Sequence, residues 1–134
     1  MNDLEKLMAE YDHELTFIFR SDMPDNLHGL LVDDTIYINA MLPFEESVAV
    51  LAEEIGHHKT LAKGDICDYS DYVSRKLEAK GREWGYRKLV SKDKLKKIAN
   101  SPYPVESYQV AEELGLPEDY VEEAVEMYKV KEEL

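Results

Sequence analysis

The chain has 134 residues, 44% of them hydrophobic, and a formal charge of −13 at pH 7. That length suits one folded domain, residues 1–134, and leaves no room for two independent cores. So acidic a chain excludes general affinity for nucleic acid, whose phosphates need a basic face.

No apolar run approaches the roughly 20 residues of a bilayer span, and the N-terminus lacks a signal-peptide pattern, so a cytoplasmic protein with no membrane partner is expected. Cys67 is the only cysteine, which leaves no internal disulfide and fits a reducing compartment. Charge is unevenly spread: residues 75–97 carry 10 basic and 3 acidic side chains, whereas residues 1–74 carry 4 and 16 and residues 106–134 carry 2 and 10. A basic middle between acidic ends reads as a solvated helix face, an intramolecular complement, or a docking surface for an acidic partner.

In chain order, residues 2–11 read as a short helix with Leu4, Leu7 and Met8 on one face. Leu15 to Arg20 is a strand rich in aromatic and branched residues. Ser21 to Asn26 is a turn around Pro24. Gly29–Val32 and Thr35–Asn39, joined by Asp33-Asp34, read as a β-hairpin, although Asp-Asp suits its turn less well than Asn-Gly.

Pro43 opens a helix whose first turn carries Glu45 and Glu46, and Phe44, Val48, Leu51, Ala52 and Ile55 form its apolar face. Gly64 to Ser70 is a loop. Asp71 is placed to cap a second long helix to about Val90, with Val73, Leu77 and Trp84 as its buried residues. Gly81 and Gly85 there would let another backbone approach closely. Ser91 caps a lysine-rich helix ending at Ala99.

Beyond Pro102 and Pro104, a helix from Val105 stops at Gly115, and Pro117 opens a last helix with the stripe Val121, Ala124, Val125 and Tyr128. This pair has a helix-turn-helix outline. Its second helix carries Glu118, Asp119, Glu122, Glu123 and Glu126, which repel phosphates, so it reads as a packing or partner-binding element.

The chemistry concentrates in Glu53-Glu54-Ile55-Gly56-His57. In the H-E-x-x-H helix of zinc peptidases, two ligands at i and i+4 share a face and the intervening glutamate is the general base. Here Glu53 stands at the first ligand position, His57 at the second and Glu54 at the base. Glu-Glu-x-x-His is also a common pattern on exposed helices. Gly56, a poor helix residue between Glu54 and His57, marks close packing or access beside the site.

Together with the Leu77 to Val90 segment, the 29–39 hairpin, the 64–68 loop and the Ala111 to Pro117 turn, this helix resembles the ImmA/IrrE family of metallo-endopeptidases, the small phage and mobile-element type. The resemblance covers most of the chain. It implies an α+β fold in which a small N-terminal antiparallel sheet packs on a helical zincin-like core, with the C-terminal helices, about 105–134, part of the same domain. Carried over by position, it implies Glu53, His57 and Glu78 as metal ligands and Glu54 as the base. Two positions depart from the family pattern. Glu53 stands where a histidine is usual, and Arg82 stands where Asn or Asp usually follows the third ligand by four residues.

The implied cofactor is a divalent metal, zinc first, with manganese or no metal as alternatives. With two carboxylates and one imidazole the centre is formally neutral, so its Lewis acidity is weaker than with two imidazoles, and harder ions gain ground. The implied partner is a helix-turn-helix repressor, cut as a protein substrate. The alternative is a catalytically weak or inactive peptidase-fold module that regulates the repressor by binding.

Other candidates are secondary. His58 is a substrate contact or a solvent-facing side chain, and Tyr37 and Asn39 could belong to an edge strand that pairs with an extended substrate. Asp65, Asp68 and Asp71 could hold a hard cation but read as loop and capping residues. Cys67 lacks the basic surroundings of a reactive thiol. His13 and His28 read as surface residues.

Overall fold

The structure is a computed structural model that describes residues 1–60, 71–100 and 102–134, with only the backbone for 71–75. The expected Gly64–Ser70 loop, with Asp65, Cys67 and Asp68, lies outside the described residues, as do the side chains of Asp71 and Val73.

Helix α1, Asp3–Tyr11, starts where expected because Asn2 caps it: its side chain accepts from the Glu5 N–H at 2.8 Å while Glu5 reaches back to the Asn2 N–H. Strands β1 (Thr16–Arg20), β2 (Gly29–Val32) and β3 (Thr35–Asn39) follow, then helices α2 (Phe44–Thr60), α3 (Asp71–Leu89), α4 (Lys92–Ala99), α5 (Ser107–Leu114) and α6 (Glu118–Val130). The fold is therefore α+β. Among the described residues no helix is long and apolar enough to cross a membrane.

The sheet is mixed, which corrects the expected antiparallel one. Its order is β1-β3-β2, with β2 antiparallel to β3 and β1 parallel to it. The 21–28 connection carries the chain from one edge of the sheet to the other, so β3 enters between its two predecessors. Hydrophobic burial favours that arrangement: Ile36 and Ile38 are fully buried, and β1 and β2 each supply a flanking strand. The hairpin forms as expected, and Asp33 takes the positive φ (53°) that its tight turn needs.

One face of the sheet packs on α2. Leu7, Leu15, Ile36 and Ile38 meet Leu51, Ala52 and Ile55 in one buried cluster. Val48, on the same helix, joins a second with Tyr86, Val90, Ala111, Leu116, Val121 and Ala124. Since α2 is covered from two sides, its buried arc is wider than the single stripe expected. Ser47, Ala49 and Gly56 are buried too, and Phe44 in the first turn stays exposed.

Helices α2 and α3 meet backbone to backbone. A Cβ at Gly56 would overlap the Gly81 carbonyl and lie 3.1 Å from the Trp84 Cβ, and one at Gly81 would overlap the His57 ring. At Gly85 it would lie 2.9 Å from the Tyr120 hydroxyl and 3.4 Å from the Glu53 nitrogen. The close approach expected of Gly81 and Gly85 is thus present, and it sets the phase of α3. Tyr86 and Val90 are buried beside the glycines, whereas the expected Leu77 and Trp84 are only half-buried.

Helix α6 closes the second cluster with Val121 and Ala124, and the hydroxyl of its buried Tyr128 donates to the Val90 carbonyl at 2.9 Å. Gly115, left-handed at φ 67°, ends α5 as expected. Much of the basic middle pairs within the chain: Arg82 with Glu53, Lys88 with Glu10, and Arg87 and Lys92 with Glu133.

Gly56→Ala should lower stability by about 2 kcal/mol in urea unfolding despite alanine's better helix propensity, because the overlapping atoms are backbone and cannot turn aside; a stabilised variant would contradict the contact. The Arg87 guanidinium, with Lys92, holds the Glu133 carboxyl down to about 2 from its ordinary 4.5. Because the folded value is the lower one, this contribution is complete above 4.5 and is lost as pH falls toward 2. The stability gap between wild type and Glu133→Gln should therefore narrow through that interval.

Candidate metal centre

The α2–α3 contact brings three potential ligands together. Glu53 and His57 lie one turn apart on α2, and Glu78 reaches them from α3, so that one donor atom from each falls within 4.8 Å of the others. The His57 Nε2 lies 3.4 Å from a Glu78 oxygen and 4.0 Å from Glu53 Oε1. In a tetrahedral zinc site with bonds of about 2.0–2.1 Å, ligand atoms sit about 3.3 Å apart. The His57–Glu78 separation already has that spacing, and the 4.0 Å between His57 and Glu53 needs a closure of under about 1 Å, a small rotation of the Glu53 side chain. One imidazole and two carboxylates suit zinc or manganese, so the residues fit a divalent cation.

The electrostatics also favour one. Burial raises the Glu53 carboxyl above its ordinary value; Arg82 pulls it back and Glu78 pushes it up again. Burial pushes Glu54 up to about 7, and the negative charges of Glu53 and Glu78 add to the rise. Burial and the neighbouring negative charges thus disfavour the ionised forms of Glu53 and Glu54, and a cation beside them would relieve that cost. Glu54 itself packs against the start of β2, where a Cβ on Gly29 would lie 3.1 Å from its Cγ.

Among the described residues, the protein's own counter-charge at this point is Arg82, whose Nε donates to Glu53 Oε1 at 3.3 Å. Its place four residues after Glu78 put it on the ligand face of α3, a signal that was readable. Its pairing with Glu53, on another helix, was not. Arg82 and Glu53 also line a cleft of about 310 Å³ with His28, Pro117, Tyr120 and Glu123. Neither Tyr120 nor this cleft was anticipated, since only the packing of α6 against α3 creates them.

The remaining candidates lie elsewhere. His58 faces the other way, 3.8 Å from Glu14, which also pairs with Lys59. Tyr37 points to the sheet face opposite Ile36 and Ile38. Asn39 is buried and fully engaged: its amide donates to the Leu27 carbonyl at 3.1 Å and its oxygen accepts from the Met41 N–H at 3.0 Å. The expected edge strand is the central one, paired on both sides, so strand addition there is excluded and the sheet's edges belong to β1 and β2.

No family model, no curated protein and no solved structure matches the chain. Asn39→Ala should cost about 1–3 kcal/mol in chemical denaturation, because it strands the Leu27 carbonyl and the Met41 N–H. An unchanged unfolding midpoint would show that the amide does not hold this loop.

Proposed function

We propose that the chain is a metal-dependent endopeptidase of the ImmA/IrrE type, acting in the cytoplasm on a helix-turn-helix repressor of a phage or mobile element. The observation that carries the chemistry is the convergence of Glu53, His57 and Glu78 beside Glu54. The choice of substrate rests on the sequence resemblance.

Glu53, His57 and Glu78 are the residues that would hold the ion. A divalent cation there supplies Lewis acidity to a carbonyl and lowers the pKa of water. Glu54, half-buried and adjacent, takes the proton of the attacking water and delivers it to the departing nitrogen. Its elevated pKa suits both halves of that transfer near neutral pH. Among the described residues β2 is an edge strand and begins beside Glu54, so an extended peptide hydrogen-bonded along it would run past the base.

A second reading has its own observation. The hydrogen bond from Arg82 to Glu53 gives that carboxylate a partner without any ion, as befits a module that keeps the fold, binds the repressor and does not cut it.

The two readings separate by experiment. Protein purified without chelators should carry about one zinc or manganese per chain by elemental analysis, and His57→Ala and Glu78→Ala should lose it. Glu54→Gln should keep the metal while cleavage of a co-expressed repressor, or of internally quenched peptides, falls by about 10² or more. Metal-free protein that still binds the repressor would favour the regulator, and undiminished cleavage by Glu54→Gln would exclude this base.

A further inference from the structure

The two positions that set this site apart from a two-histidine centre touch each other. Glu53 takes the place of a neutral imidazole, and the residue bonded to it is the guanidinium of Arg82, at 3.3 Å through Nε. A divalent ion with two imidazoles and one carboxylate leaves a formal charge of +1. With Glu53, His57 and Glu78 the sum is zero, and the guanidinium brings it back to +1. Arg82 uses only Nε on Glu53; among the described residues its two terminal amino groups have no hydrogen-bonding partner. They belong to a half-exposed side chain that lines the 310 Å³ cleft with one of the ligands, Glu53, and with the carboxylates of Glu46, Asp119 and Glu123. A planar fork with free N–H groups at the rim of a cationic centre is a receptor for an oxyanion.

We propose that Arg82 and Glu53 act as one unit: the guanidinium returns the positive charge that the carboxylate removes, and its terminal amino groups bind the substrate carbonyl oxygen as it becomes negative. This rests on the reading of the centre as a metal site. Glu53 then has two roles, ligand and anchor, since its bond to Nε directs the free end of the guanidinium. Water adding to the carbonyl carbon moves the C=O electron pair onto oxygen, and Arg82 donates hydrogen bonds to that charge without transferring a proton.

The unit has an unusual signature. Arg82 shares the Glu53 oxygen that faces His57, so it competes with the cation for a ligand while strengthening the binding of anions. Removing it should therefore move the two affinities in opposite directions. Titration of the metal-free protein with zinc should show Arg82→Ala binding about two- to fivefold more tightly than wild type, the range of a half-exposed ion pair.

Acetohydroxamate, a small anion whose oxygens accept hydrogen bonds, titrated into the cobalt-loaded protein and followed by its visible spectrum, should bind Arg82→Ala at least about tenfold more weakly. Arg82→Lys, which keeps the charge, should fall between. Glu53→His in the Arg82→Ala background should recover most of the hydroxamate affinity by restoring +1 with a second imidazole.

A purely structural role for Arg82 would weaken metal and hydroxamate binding together, and that outcome would overturn the proposal. So would hydroxamate affinity unchanged in Arg82→Ala, or no recovery in the double variant. None of these readouts needs a known substrate. If wild type binds no zinc, the metal centre itself fails; if it binds zinc and Arg82 is silent, only the paired unit fails.

Discussion

Helices α2 and α3 touch at Gly56, Gly81 and Gly85, backbone against backbone at Gly56 and with the His57 ring lying on Gly81, and the rest of the molecule is arranged around that approach. A Cβ at Gly56 or Gly81 would overlap atoms of the facing helix, so the pair cannot close with ordinary residues at those positions. Each glycine costs up to about 1 kcal/mol of helix propensity. The return is position: with the backbones in contact, Glu78 reaches His57, and Arg82, one turn further along, reaches Glu53. The sheet on one side of α2, and α6 against both α2 and α3 on another, then bury what the contact leaves, as Ile36 and Ile38 on one hand and Val121, Ala124 and Tyr128 on the other.

The site is consequently a product of helix packing rather than of loops. Glu53, Glu54 and His57 are fixed relative to one another by the geometry of one helix, and only Glu78 and Arg82 depend on the second. Burial within this contact raises the Glu53 and Glu54 carboxyls, and the same closeness makes Arg82 the countercharge. A cation would ease the two raised carboxyls, so the electrostatics and the ligand geometry point the same way.

The helices were legible in the sequence because their signals are local. Ser91, Gly115 and Pro117 mark ends through caps and backbone geometry that a short window contains, and the stripe in α6 is periodic. Glu53, Glu54 and His57 were legible for the same reason. The strand order was not: residues 15–39 contain three good strands, but nothing in them states that the 21–28 connection crosses the sheet, and that crossing removed Asn39 and Tyr37 from an edge. The burial of Tyr86 and Val90 in place of Leu77 and Trp84 was equally hidden, because the phase of α3 follows from which glycine meets α2. Arg82 was visible as an exception to a pattern, and its meaning emerged only with Glu53 beside it.

The central claim is that Glu53, His57 and Glu78 form one coordination sphere. X-ray absorption at the zinc edge of metal-loaded protein tests it most directly. The expected spectrum has a first shell of nitrogen and oxygen only, at about 2.0–2.1 Å, with the multiple scattering of a single imidazole, and that scattering disappears in His57→Ala. Scattering from two or more imidazoles, a sulfur shell, or a spectrum unchanged by that substitution would contradict it.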